Sequence, residues 1–166
     1  MATAIFYASS TGNTSSVAKD IAKILGSVKT YDIASSGVDK ISEYDKIIIG
    51  SSTWGEGELQ DDWDELWEDF SQVDFTGKTV ALFGLGDQDG YADNYLDAMG
   101  LIYEKVVENG AKVVGQWEIS HDYFHEESLA IKDDKFVGLA LDEDNQDELT
   151  KERITTWCEQ IKNEIL

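Results

Sequence analysis

Short, largely apolar runs alternate along this chain with segments of helical spacing. No other feature limits the fold as strongly. TAIFYA (residues 3–8) reads as a buried strand, and Val17, Ile21, Ile24 and Leu25 then follow the 3.6-residue period. VKTYDI (28–33), KIIIG (46–50), KTVALFG (78–84) and KVVGQW (112–117) read as four further strands. Between them, Trp63, Leu66, Trp67 and Phe70 form one helical stripe over 61–70. Leu96, Met99, Tyr103, Val106 and Val107 form another, and 149–165 closes the chain as an amphipathic helix. Strands apolar on both faces, alternating with helices, imply a parallel sheet covered on both sides. The expectation is one doubly wound α/β domain over 1–166 with five parallel strands. Residues 118–137, which carry both histidines, break the alternation. They read as an excursion that interrupts the fifth strand and returns to it at FVGLALD (136–142).

In such a sheet, ligands sit at the carboxyl ends of the strands. Three loops end there: 8–14, 51–60 and 84–94. The first, ASSTGNTSS (8–16), holds four serines, two threonines and no charged residue. It leads from a strand into a helix, whose first N–H groups and positive dipole end suit an anion. A phosphate held there meets neutral donors only, so its charge is not cancelled. The motif is not a Walker loop, which needs a lysine, nor a dinucleotide loop, which needs three glycines where this one has Gly12 alone. Asp32 stands about 20 residues on, where a ribose-binding acid would stand, but without the glycines that match is weak. A loop that merely caps its helix is the competing reading. Trp54, between the central strand and Gly55 and Gly57, and Tyr91, in GLGDQDGYADN (84–94), place two aromatics at neighbouring strand ends, where they could sandwich a flat heterocycle.

Taken together, these loops resemble those of the flavodoxin family, long-chain type. SSTGNT matches the family's phosphate loop, STWGEGEL its first flavin loop and GDQDGYADN its second. KFVGLALDEDNQ (135–146) matches the segment after the long-chain insertion, and ERITTWCEQI its final helix. The resemblance spans essentially the whole chain and implies the strand order 2-1-3-4-5. It implies that Ser9, Ser10, Thr11, Asn13 and Thr14 bind the phosphate of FMN, with Gly12 fixing the turn. Thr53 and Trp54 would belong to the first flavin loop, and Trp54 and Tyr91 would flank the isoalloxazine. The backbone of Gly55, Glu56 and Gly57, and of Leu85, Gly86 and Asp87, would line its edges, and Asn94 and Asp144 would lie near the ribityl or ring region. Ala8 stands where many members have Gly, and Ser52 where many have Pro; neither change removes a side-chain donor.

The implied function is a low-potential one-electron carrier on non-covalent FMN, cycling between semiquinone and hydroquinone. The Gly55–Glu56 peptide would turn its carbonyl toward flavin N5–H. The alternative is an FMN-dependent NAD(P)H:quinone reductase on the same fold. A response-regulator-like domain would need acids at the end of the first strand, and 7–14 has none. No nucleophile–base or acid–base pair stands out, so no catalytic residue is assigned.

With 34 acidic against 13 basic residues, the net charge is −21. That repels nucleic acid and anionic membrane and attracts basic protein partners, which the resemblance implies are a reductase donor and an oxidoreductase acceptor. The stretch Ile47–Gly77 alone carries nine acids and no Lys or Arg. A single cysteine, Cys158, on an apolar helix stripe, excludes an internal disulfide and fits a reducing cytoplasm. No signal peptide or membrane span is expected, and the chain reads as a monomer. DEDNQDE (142–148) lacks the glycine and the final glutamate of a calcium loop. His121 and His125 read as surface residues rather than metal ligands.

Overall fold

The computed structural model describes residues 3–54 and 57–166. Element order is β1 (Thr3–Tyr7), α1 (Asn13–Ile24), β2 (Lys29–Asp32), α2 (Ile33–Ser36), a 3-10 turn (Asp39–Glu43), β3 (Lys46–Trp54) and β4 (Glu58–Leu59). There follow α3 (Asp61–Glu65), α4 (Trp67–Ser71), β5 (Thr79–Leu85), a 3-10 turn (Ala92–Asn94), α5 (Asp97–Glu108), β6 (Lys112–Val114) and β7 (Trp117–Glu118). The chain ends with β8 (Ile131–Lys132), β9 (Lys135–Phe136), β10 (Leu139–Leu141) and α6 (Asp147–Ile165).

The main sheet runs β10-β5-β3-β1-β2, parallel throughout that path. β6 pairs with the first half of β5, from Thr79 opposite Lys112 to Ala81 opposite Val114. β10 pairs with its second half, from Leu139 opposite Phe83 to Leu141 opposite Leu85. β6 and β10 are thus two halves of one fifth strand, and the order 2-1-3-4-5 follows. Between the halves the chain makes a small antiparallel sheet, β7-β9-β8.

Side-chain alternation assigns each strand residue to one of two cores. Ala4, Phe6, Ile47, Ile49, Val80 and Leu82 pack with Trp63, Phe70, Leu96, Met99 and Val106. Ile5, Tyr7, Ile48, Ala81 and Phe83 pack on the other face with Val17, Ile21, Ile154, Trp157 and Ile161. Cys158 lies in this second core. Among the described residues no helix is long and apolar enough to cross a membrane.

Three boundaries differ from the sequence reading. The central strand continues past Gly50 to Trp54, because β5 also extends and pairs Gly84 with Ser51 and Leu85 with Ser52. The helix expected over 61–70 is broken at Leu66 (φ −94°, ψ 6°) into α3 and α4. Asp61, Asp62, Asp64, Glu65, Glu68 and Asp69 repel one another at i,i+3 and i,i+4, with no cation to offset them. The apolar stripe nonetheless survives: Trp63 and Phe70 are fully buried. The strand expected over 112–117 is split at Gly115 (φ +83°) into β6 and β7.

Candidate functional site

At the carboxyl ends of β1, β3, β5 and β10 lies a cavity of about 290 Å³. Its walls are Thr11, Asn13 and Thr14 from the first loop, Ser52, Thr53 and Trp54 from the second, Leu85, Gly86, Asp87 and Tyr91 from the third, and Glu143 and Asp144 after β10.

The first loop is shaped by its own hydroxyls. Gly12 is left-handed (φ +95°) at the start of α1, a conformation that costs glycine nothing, and its N–H donates to Ser9 Oγ at 2.9 Å. Ser10 Oγ accepts from Gln60 Nε2 at 2.9 Å, and Gln60 Oε1 in turn caps α3 through Asp62 N and Trp63 N. Ser9 and Ser10 therefore shape the loop and are not on the cavity wall, whereas Thr11, Asn13 and Thr14 are. No side chain among the described residues caps the N-terminus of α1. The competing reading of the loop as a simple helix cap is thus not what the geometry shows. The helix start stands beside the cavity wall formed by Thr11, Asn13 and Thr14.

Trp54 and Tyr91 are the large aromatics of the wall, 40% and 44% exposed. Trp54 is oriented by its indole N–H, which donates to Ser52 Oγ at 2.8 Å. Tyr91 sits at the end of a turn closed by its N–H to Asp87 O at 3.0 Å. An unpartnered aromatic pair at such exposure, beside N–H and hydroxyl donors, fits a ligand with a flat ring and an anionic tail.

Part of the wall is acidic: Asp87, Glu143 and Asp144 line it, and the buried Asp142 lies behind. Asp87, Asp142 and Asp144 have carboxylate oxygens within 4.8 Å of one another. Burial, followed by the charges of Asp87 and Asp142, raises the Asp144 carboxyl above its ordinary range. Burial also pushes Asp87 up. Hydrogen bonds from Gly90 N, Asn145 Nδ2 and Asp89 N together outweigh it and leave Asp87 below that range.

Gly57 is left-handed (φ +92°) and lies beside Asp97 and Asn94. Asn94 is off the cavity wall, its amide donating to Asp97 Oδ2 at 3.0 Å. Gly55 and Glu56 lie outside the described residues. Asp32 is no ribose ligand: its Oδ1 accepts from Ala34 N and caps α2. His121 is exposed and His125 is half-buried, its ring stacked on Tyr95 at 5.1 Å and packed against Phe136. That aromatic box forms only when the excursion folds back, and residue spacing does not reveal it. Sequence reasoning also missed Glu143, Gln60 and Ser52 as parts of the site. Position offered a signal for two of them, since Ser52 precedes Thr53 and Glu143 precedes Asp144.

Comparison with known proteins agrees with this geometry. The flavodoxin family model matches residues 5–157. The chain is 50% identical over 161 residues to a flavodoxin of Picosynechococcus sp., covering 95% of this chain and 94% of that one. It is 44% identical over 165 residues to flavodoxin 1 of Escherichia coli, covering 98% and 94%. The crystal structure of Fusobacterium nucleatum flavodoxin bound to flavin mononucleotide superposes with a TM-score of 0.93 at 35% identity, covering 99% of both chains. With fold, loops and full-length likeness in agreement, this chain belongs to the flavodoxin family.

Proposed function

We propose that this flavodoxin is an electron carrier that binds FMN non-covalently and passes single electrons between redox proteins, with 1–166 acting as one FMN-binding domain. The observation that carries this is the single cavity wall on which the uncapped N-terminus of α1, with Thr11, Asn13 and Thr14, stands beside Trp54 and Tyr91.

Bound FMN supplies reversible one-electron chemistry. The residues define its setting. The α1 N-terminus and the hydroxyls hold the phosphate without a cation. Ser9 and Ser10 act by shaping that loop. Trp54 and Tyr91 provide faces for the ring and shield it from water, and the backbone at 55–57 and 85–87 borders its edges. Glu143, Asp144 and Asp87 oppose any gain of negative charge in the cavity. At a separation of about 10 Å and an effective dielectric of about 20, each such charge is worth roughly 1.7 kcal/mol before solvent screening. The second electron is therefore the hard one to add, and the working couple is of low potential.

The partners we infer are proteins with basic surfaces, a reductase as donor and an oxidoreductase as acceptor, met by this chain as a monomer in the cytoplasm. The test is an anaerobic reductive titration of the FMN-loaded protein. Two resolved one-electron steps, the second at low potential, are expected, with no oxidation of NADPH by the protein alone. A single two-electron step with NADPH turnover would overturn the carrier reading in favour of a quinone reductase.

A further inference from the structure

Gln88 follows directly on the loop that lines the cavity, yet its side chain is fully buried and off the cavity wall. Both ends of its amide are engaged. Nε2 donates to Asp142 Oδ2 at 3.0 Å and to Gln146 Oε1 at 3.1 Å. Oε1 accepts from Phe124 N at 2.8 Å and His125 N at 3.3 Å. The backbone N–H of Gln88 reaches Asp142 Oδ2 as well, at 3.2 Å. The amide cannot be flipped: that would set its NH₂ against two N–H donors and its oxygen against a carboxylate.

One side chain thus joins three segments. The first, 85–91, carries Leu85, Asp87 and Tyr91 to the cavity, and the second, 142–146, carries Glu143 and Asp144. The third is the insertion, which reaches the first through Gln88 and then runs beside the segment that follows it, 92–97. Glu126 N and Glu127 N donate to Ala92 O at 2.8 and 3.0 Å, Tyr95 N to Glu127 O at 3.2 Å, and Leu129 N to Asp97 Oδ1 at 2.8 Å. Asp142 is buried and satisfied by neutral donors: Gln88, Asp144 N, Asn145 N and Asn145 Nδ2. Removing the Gln88 amide takes one donor from Asp142 Oδ2, which keeps Gln88 N and Asn145 Nδ2, and leaves the Phe124 and His125 N–H groups of the insertion without their acceptor.

We propose that Gln88 is a positioning residue for the FMN site, and that through it the insertion braces the two loops forming one side of the cavity, so that FMN meets a preformed wall. This rests on the FMN reading given above. Gln88 itself is off the cavity wall and acts through Asp142 and the two loops.

Two variants test it. Gln88→Met keeps the volume and removes every side-chain hydrogen bond. Gln88→Glu keeps the shape and sets a second carboxylate against Asp142. The titratable and charged groups around this position are Asp142, Asp87 and Asp144, Asp122, His125 and Glu126 on the insertion, Tyr95 and Tyr123, and Arg153, whose guanidinium lies 4.3 Å over the Tyr123 ring. Each variant is therefore compared with wild type at the same pH.

In the apo-proteins, hydrogen exchange at amides 86–91, 124–125 and 143–146 is expected to accelerate at least about tenfold in both variants, with the β1 and β3 amides unchanged. FMN affinity should fall about tenfold for Gln88→Met at every pH. For Gln88→Glu it should fall at pH 8 and recover toward wild type at pH 5.5, where the carboxyl pair can share a proton. Unchanged exchange at the two cavity loops, or no pH-dependent recovery in Gln88→Glu, would overturn the positioning role. If wild type failed to bind FMN, the functional reading would fall, and the apo-protein exchange would still decide whether Gln88 orders these loops.

Discussion

Gly100 and Leu129 meet backbone to backbone: a Cβ on Gly100 would lie 2.6 Å from both the carbonyl carbon and the oxygen of Leu129, and 2.9 Å from Ala130 N. Helix α5 is therefore bare at the point where the insertion crosses it. The neighbouring Leu129 N–H is already committed to Asp97 Oδ1. Gly100→Ala must displace the insertion. Helix propensity favours alanine by about 1 kcal/mol, whereas overpacking against fixed backbone costs about 1–3 kcal/mol, so a net destabilisation of up to about 2 kcal/mol is expected. Urea unfolding of the apo-protein measures it. A stabilised variant would mean that the insertion rides loosely on α5.

The parallel sheet was legible from its central strand runs, where Ile47, Ile48 and Ile49 announce burial whichever way they point, whereas the edge run 28–33 carries Lys29, Thr30 and Asp32. The cavity wall was legible where it depends on local chain chemistry, as at Thr11, Asn13 and Trp54. It was not legible where it depends on segments that meet only in three dimensions. Gln88 looks like any polar loop residue until Asp142 and Phe124 are brought to it from 54 and 36 residues away. His125 reads as a surface residue until Tyr95, Tyr123 and Phe136 close around it. Ser9 and Ser10 were legible as loop residues, but residue type does not separate a hydroxyl that holds the loop from one that faces the cavity.

The Trp54 indole is held at the rim by Ser52 Oγ and belongs to neither core. Its removal should leave the fold intact and weaken the ligand site. Trp54→Ala is expected to reduce FMN affinity by about tenfold, from the loss of stacking of about 0.5–1.5 kcal/mol together with apolar contact area. Titration of apo-protein with FMN, read by quenching of flavin fluorescence, checks it, with Tm of the apo-protein as control. Unchanged affinity would remove Trp54 from the site.

His125 gives stability a pH dependence of definite sign. Burial lowers its pKa below the ordinary 6.5, against a weaker upward pull from Glu126. The folded state thus prefers the neutral ring. Its contribution is present above pH 6.5 and is lost as pH falls through the lower, folded value. The ring is half-buried, so the effect is modest. The difference in unfolding free energy between wild type and His125→Phe should narrow from pH 7.5 to 5.5 if it favours wild type, and widen if it favours phenylalanine. A difference independent of pH would place the imidazole in solvent.

Asp144 lies on the cavity wall with its carboxyl raised by burial and by its acidic neighbours. Asp144→Asn removes one charge that opposes reduction. The side chain is exposed, so solvent screens it strongly. At an effective dielectric of about 40–80 and a separation on the order of 10 Å the term is roughly 0.4–0.8 kcal/mol, or about 20–40 mV for one electron. The low-potential step should rise by that amount and the first step should move less. A fall in potential, or an equal rise in both steps, would contradict the acidic wall as the cause.

Trp54 ends β3 and pairs with Glu58 across a short antiparallel bridge, and α3 and α4 follow at once. Glu58, Asp61, Asp64, Glu65, Glu68 and Asp69 are all exposed there, with no cation in the same stretch. The rim of the cavity is therefore continuous with a strongly negative surface, which is expected to steer a basic partner toward the exposed aromatics. Steering of this kind raises association rates by about tenfold or more at low salt and is screened once the Debye length falls to a few ångströms. Stopped-flow oxidation of the reduced protein by a basic haem protein should slow by at least about tenfold between 20 mM and 1 M salt. The triple variant Glu58→Gln, Asp61→Asn, Glu65→Gln should be slower than wild type at low salt and equal to it at high salt. Equal rates at low salt would move the docking surface away from α3 and α4. A rate insensitive to salt in wild type would remove electrostatic steering from the mechanism.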